Sequence, residues 1–272
     1  MALLTFLLPA LFLFTLGIVF GSFLNVVIVR SIRDESWVTG RSHCDVCQKN
    51  IAWYDNIPLL SFLLLGGRCR HCKNAIAISH PIVEGLTGVL FLWWYIGFSI
   101  FFKLTQEPFV VLQPLFWLAV AAILIVIFFT DILVFLIPDK AVIALSALVL
   151  IYQGALLWAG IMQPLDFIYS LLGMVGAVLF FFSLWFFTRG RGLGFGDVKL
   201  IAPLSLLLGW PSLLVGLFAS FIVGATVGTG FVLLGKKKMK QPIPFGPFLI
   251  IGTVIGLLWG HEIFAWYLAF IL

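Results

Sequence analysis

Seven stretches of this chain are each long and apolar enough to cross a bilayer, and that fact constrains the fold before any single residue is considered. They run over residues 3–29, 82–102, 109–130, 141–160, 166–188, 211–234 and 246–271. A hydrocarbon core of ~30 Å takes about 20 predominantly apolar residues per helical crossing. An eighth stretch, 198–209, rises only about 18 Å at ~1.5 Å per residue. The whole chain is 62% hydrophobic and 10% charged, where a soluble domain carries about 25% charged residues. The fold class this predicts is an all-α polytopic membrane protein of about eight transmembrane helices with a small cytoplasmic module. Three parts are expected: a first transmembrane helix over 1–30, a four-cysteine module over 31–80, and a helical membrane region over 81–272. The first apolar stretch does not read as a removable signal peptide, because it lacks a basic start, carries no charge before Arg30, and shows no small-x-small cleavage pattern.

The basic residues decide the number of crossings. Arg30, Arg33, Arg41, Lys49, Arg68, Arg70 and Lys73 follow the first span, Lys140 the third, Arg189 and Arg191 the fifth, and Lys236, Lys237, Lys238 and Lys240 the seventh. If the short stretch crosses, all of these share one side and only Lys103 falls on the other. The positive-inside rule then makes the basic side cytoplasmic, with both termini outside. A net charge of +5 does not point to nucleic acid, since the charges are spread over short loops rather than gathered on one module. The Lys236–Lys240 cluster reads as an anchor on anionic membrane lipid. On the first helix, Gly17, Gly21 and Asn25 recur every four residues, a pattern for close helix packing with Asn25 as a polar tie.

All four cysteines lie in the polar interval 31–80. Cys44-x-x-Cys47 and Cys69-x-x-Cys72 are separated by 21 residues. Paired knuckles of this kind offer four thiolates to one tetrahedral ion, best a structural Zn2+, so the module reads as zinc-ribbon-like. Four cysteines leave no open coordination position for catalysis. A disulfide pairing is disfavoured in the reducing cytoplasm, and a module this small needs a staple. His43 and His71 flank the knuckles and read as exposed loop residues.

Eleven acids occur in the chain. Asp131 ends the third span and Asp197 opens the short stretch after Gly-rich TRGRGLGFGD (188–197), so both fall at one membrane edge on different helices. An ionisable group there is costly and points to function. Two close carboxylates cannot both ionise, so one holds a proton while the other activates water, as in aspartyl proteases. Gly194 and Gly196, lacking a Cβ, would let an extended substrate backbone approach Asp197. The residues alone leave two other readings open: a helix cap at Asp197, and a proton-coupled transporter using both acids as a relay. Asp139, after Pro138, reads as a cap or turn residue.

Taken in order, GSFLNVVIVR (21–30), the paired knuckles, WYDNIPLLSFLLLGGRCRHC (53–72), HPIVEGLTG (80–88), the spacing from Asp131 to IPD (137–139), GFGDVKL (194–200) and IPFGPFL (243–249) closely resemble the bifunctional type IV prepilin leader peptidases with N-methyltransferase activity. The resemblance spans nearly the whole chain. It implies a GxGD-type aspartyl protease with Asp131 and Asp197 as its catalytic acids. It also implies prepilin or pseudopilin substrates of type IV pilus or type II secretion systems, cut after a glycine at the cytoplasmic face of the bacterial inner membrane. Methylation of the new N-terminal residue from S-adenosyl-L-methionine follows from the same resemblance. No glycine-rich βαβ unit is present to hold that cofactor, and Glu84, near the start of the second span, is the acid singled out for methyl transfer. Its alternative is a carboxylate favoured by the helix dipole. A peptidase without methyltransferase activity is the other outcome the resemblance allows. Asp34, Glu35 and Asp55 are the acids expected to meet a basic leader.

Overall fold

The computed structural model describes residues 2–37, 40–102, 104–235 and 242–271. Lys103 and the Lys236–Lys240 cluster, weighed above for topology and lipid contact, lie outside the described residues. Nine α-helices occur among those described: α1 (Ala2–Ile32), α2 (Leu60–Leu64), α3 (Ser79–Phe101), α4 (Phe109–Val134), α5 (Asp139–Trp158), α6 (Pro164–Thr188), α7 (Phe195–Leu208), α8 (Ser212–Leu233) and α9 (Gly246–Ile271). Only two isolated bridges, and no β-strand, accompany them among the described residues. Among the described residues six helices are long and apolar enough to cross a membrane: α1, α4, α5, α6, α8 and α9. The count of about eight is therefore approximate, with α3 and the 14-residue α7 making up the difference.

The chain divides within α4 into two compact units, Met1–Val126 and Ile127–Leu272. In the first, α1 and α3 pack along each other. Their contact is made by glycines. A Cβ on Gly17 would stand 2.8 Å from the Thr87 carbonyl oxygen, and one on Gly21 would stand 2.7 Å from the Glu84 Cα. Gly88 answers from α3, where a Cβ would meet Ile18 at 2.8 Å. Asn25, one turn beyond Gly21, is buried and its Nδ2 donates to the His80 carbonyl at 3.0 Å. The four-residue spacing on α1 thus marks a seam in which backbones touch and a polar side chain closes the end.

In the second unit, α7 is the enclosed element. Leu200, Ile201, Leu204 and Leu206 are all buried, and α7 packs on α5, α6, α8 and α9. At ~1.5 Å per residue its 14 residues reach about 21 Å. A helix too short for the bilayer is tolerated where protein, not lipid, surrounds its ends. Gln153 of α5 donates to the Leu206 carbonyl at 2.6 Å in the last turn of α7, and Gly209 (φ 65°) ends the helix. Around it, α8 and α9 meet through Gly216, Gly252, Gly256 and Gly260. A Cβ on Gly252 would lie 2.3 Å from the Gly216 carbonyl oxygen, a collision with backbone that no rotamer change relieves.

That contact separates two alanine substitutions. Gly252→Ala is expected to destabilise the protein by about 1–3 kcal/mol, the usual cost of overpacking. Gly154→Ala in α5, where an added Cβ meets nothing within 4 Å, is expected to be neutral or to stabilise by up to about 1 kcal/mol through helix propensity. Thermal unfolding of both variants in the same detergent checks the pair. Equal midpoints would remove the packing argument.

Candidate functional site

Asp131 and Asp197 are each 5% exposed. Asp131 lies in the last turn of α4, and its Oδ2 accepts the Gly246 N–H at 3.0 Å, the first amide of α9. Asp197 is the third residue of α7, and its Oδ2 accepts the N–H of Gly194, the residue preceding the helix, at 3.0 Å. Both carboxylates therefore sit on the amide end of a helix, where unpaired N–H groups and the helix dipole favour negative charge. The cap reading of Asp197 is partly right: it is the acid at the third position of a capping box, not the N-cap itself. The two acids lie within electrostatic reach of each other.

The glycines divide by what each faces. A Cβ on Gly194 would come within 3.3 Å of Asp197 Oδ2, whereas one on Gly196 would press on the Ile137 side chain at 3.2 Å. Gly196 is thus spoken for by the protein's own packing. Gly246 is the residue that sequence reasoning passed over. Its Cβ would stand 2.6 Å from Asp131 Oδ2 and 3.3 Å from Ile137 Cδ1. Ile137 consequently touches the backbones beside both acids. The IPFGPFL block was visible in the sequence, yet nothing local says that its glycine meets an acid 115 positions earlier. Asp139 opens α5 and pairs with Lys199 of α7 at 2.6 Å, with both side chains solvent-accessible. It ties helices rather than joining the acids, and an exposed pair of this kind contributes about 0–1 kcal/mol.

The four cysteines converge. Their sulfurs all lie within 4.8 Å of one another, and Cys44 Sγ and Cys72 Sγ are 3.8 Å apart. A tetrahedron with metal–sulfur bonds of ~2.3 Å has edges of about 3.8 Å, so the set fits one zinc ion. The two knuckles repeat each other. Cys44 N–H donates to Lys49 O at 3.0 Å and Gln48 N–H to Cys44 O at 2.9 Å; Cys69 N–H donates to Asn74 O at 2.8 Å and Lys73 N–H to Cys69 O at 3.0 Å. Gln48 and Lys73 take matching left-handed conformations, φ 56° and 59°. The backbone amides of Cys72 and His71 hold the Cys69 thiol well below the ordinary thiol range, to about 6, which favours the thiolate a metal needs. Neither His43 nor His71 joins the cluster. His43 lies beside Arg33, 3.4 Å from its guanidinium, and Arg33 also pairs with Asp45. Asp55 accepts three hydrogen bonds from Arg70 at 2.6–3.1 Å, which hold its carboxyl below the ordinary carboxylate range. Its carboxylate is thus already engaged within the module.

Glu84 is buried in the second turn of α3, past the reach of that helix's own first amides. It turns away from the helix start: Oε2 accepts the Leu59 N–H at 2.8 Å, and Oε1 lies 3.4 Å from Asn25 Nδ2. Leu59 has φ 57° and ψ −48°, and the next amide, Leu60 N–H, donates to Pro58 O at 2.6 Å. This is a γ-turn of the rare, strained kind. Glu84 thus holds a tight turn of the cysteine module against α3.

Comparison with known proteins covers the same ground. Residues 15–98 match the Bacterial Peptidase A24 N-terminal domain and residues 118–229 match the Type IV leader peptidase family. A protein of Aeromonas salmonicida (strain A449) named prepilin leader peptidase/N-methyltransferase is 35% identical, the alignment covering 96% of this chain and 94% of the relative. Proteins of the same name from Bacillus subtilis (strain 168) and Pseudomonas aeruginosa are each 33% identical, over 94% of this chain and 96% and 92% of their own lengths. No solved structure matches. With identity above 30% along nearly the full length of these relatives, the chain belongs to the type IV leader peptidase family.

Proposed function

We propose that this chain is a prepilin leader peptidase and N-methyltransferase of the bacterial inner membrane, and that Asp131 and Asp197 carry the hydrolysis. The observation behind this is the pair itself: two carboxylates, 5% exposed, each held on the first amides of a different helix. Placed so, one acid takes a proton and the other accepts a proton from water as that water attacks the scissile carbonyl. The protonated acid then donates to the leaving amine. Gly194 leaves open the approach of an extended substrate backbone to Asp197. Substrates are prepilins or pseudopilins cut after the glycine that ends their leader, at the cytoplasmic face, where the positive-inside rule puts the loops that flank both acids.

Cys44, Cys47, Cys69 and Cys72 hold a structural zinc ion that fixes the module between α1 and α3. S-adenosyl-L-methionine supplies a methyl group already activated on a sulfonium centre. A cavity of about 340 Å³ beside Glu84 falls within the range of small-molecule sites, and Glu84 is the acid we assign to that reaction. The membrane lipid is the remaining partner; nucleic acid is not one.

Asp131→Asn and Asp197→Asn are each expected to lower prepilin cleavage by about 100-fold or more, the scale of losing a general acid or base. A purified prepilin incubated with each variant in lipid reads this directly, and full activity in either would refute the assignment. Gly246→Ala is a finer test. The atom in its way is the tip of the Asp131 side chain, which can move, so the variant is expected to fold normally yet cleave about 100-fold more slowly through misplacement of the carboxylate. Wild-type cleavage by this variant would show that the Gly246–Asp131 contact does not set catalytic geometry. For the metal, Cys69→Ser is expected to reduce bound zinc well below one ion per chain and to open residues 40–78 to limited proteolysis. Metal analysis and digestion of the full-length protein check both outcomes.

A further inference from the structure

Three acidic residues are buried among the described residues, Asp131, Asp197 and Glu84, and the hydrolytic pair leaves Glu84 without a part in cleavage. We infer that Glu84 receives the free N-terminal amine of the cleaved pilin in the cavity it lines, and takes the proton that this amine must lose before it can be methylated. The inference rests on the methyltransferase reading above and deepens it.

The cavity of about 340 Å³ is bounded by α1, α3 and the cysteine module, with Ser22, Asn25, Leu59, Phe62, His80 and Glu84 among its lining residues. Glu84 is rigidly held there. The Leu59 amide and Asn25 grip separate oxygens, and Ser22 adds a third donor. A carboxylate offers about four acceptor positions, so one remains for a ligand. The grip is also what a purely structural carboxylate would show. What sets this one apart is that it faces a cavity of ligand size and is held from two segments outside its own helix, α1 and the strained turn at Leu59. An acid that only capped its own helix would need none of this. An ammonium group is the complementary ligand: it brings three donors and a positive charge to a buried carboxylate that has lost most of its water.

The proton balance is simple. The ammonium gives one proton to Glu84, leaving a neutral amine and a carboxylic acid. The amine lone pair forms a bond to the methyl carbon of the sulfonium donor as the carbon–sulfur bond breaks, its electron pair passing to sulfur. The product is a methylated ammonium and a neutral thioether, and Glu84 returns its proton to water.

The test uses full-length protein in lipid with a leaderless peptide that begins with a free phenylalanine, so that methylation is read without cleavage, and with its N-acetylated twin. Wild-type protein is expected to bind the free amine about tenfold tighter than the acetylated peptide, the scale of one charge-assisted hydrogen bond. Glu84→Gln keeps an acceptor for the Leu59 amide. It is expected to bind the two peptides alike and to methylate at least about 100-fold more slowly, with wild-type zinc content as the sign of a folded chain. A variant that methylates normally, or that still prefers the free amine, overturns the role of Glu84. Should the variant not fold, equal binding of both peptides by the wild-type protein overturns it as well. A wild-type protein that binds no S-adenosyl-L-methionine and methylates nothing would overturn the methyltransferase reading itself, and this inference with it.

Discussion

A carboxylate taken out of water needs hydrogen-bond donors that cannot drift away, and the second unit supplies them from the backbone at the first turns of α9 and α7. Asp131 rests on the Gly246 amide and Asp197 on the Gly194 amide, each at 3.0 Å. Much of the surrounding structure serves that arrangement. Helix α9 begins on a glycine, and any side chain there would displace the Asp131 carboxylate from its place. Ile137 lies against both Gly196 and Gly246, and α7 starts with its amide end at Asp197. A buried acid with fixed donors is also chemically useful, because no solvent reorganisation accompanies the change of its charge.

Helix packing is the second layer. Within a membrane there is little hydrophobic gain in joining apolar helices, so contact depends on surfaces that fit closely. Both units use the same device. Gly17, Gly21 and Gly88 bring α1 against α3, and Gly216, Gly252, Gly256 and Gly260 bring α8 against α9; a Cβ on Gly17, Gly21 or Gly252 would stand 2.3–2.9 Å from backbone atoms. Such contacts cannot be relieved by a side-chain rotation. They fix each pair of helices in one register, and the register carries Glu84 in the first unit and Gly246 in the second to their places.

The cysteine module applies a different principle to the same need. With too few apolar residues to build a core, residues 40–78 are organised by two equivalent knuckles and by the Arg70–Asp55 pair. The Leu59 turn then joins the module to α3 through Glu84. A single carboxylate is thus both the fastening of the module and the polar floor of its cavity, which is why its substitution needs a readout of amine recognition as well as one of folding.

The sequence by itself determined the helices and the family, and it singled out the four cysteines that converge and the two membrane-edge acids that are buried. Apolar run length is a local property, so every predicted span matches a helix to within a few residues, including the short one at Phe195–Leu208. The spacing within each knuckle is equally local, and the structure then brings all four sulfurs within 4.8 Å of one another. Family membership came from motifs in order, which need no coordinates. Only the tertiary structure decided the partners of the buried acids. That Asp131 meets Gly246 across 115 positions, that Glu84 faces Leu59 rather than its own helix start, and that Gly196 is claimed by Ile137 are consequences of how helices pack. The physical reason is that a helix sequence states which of its residues are apolar or small, while the atom each one meets belongs to another part of the chain.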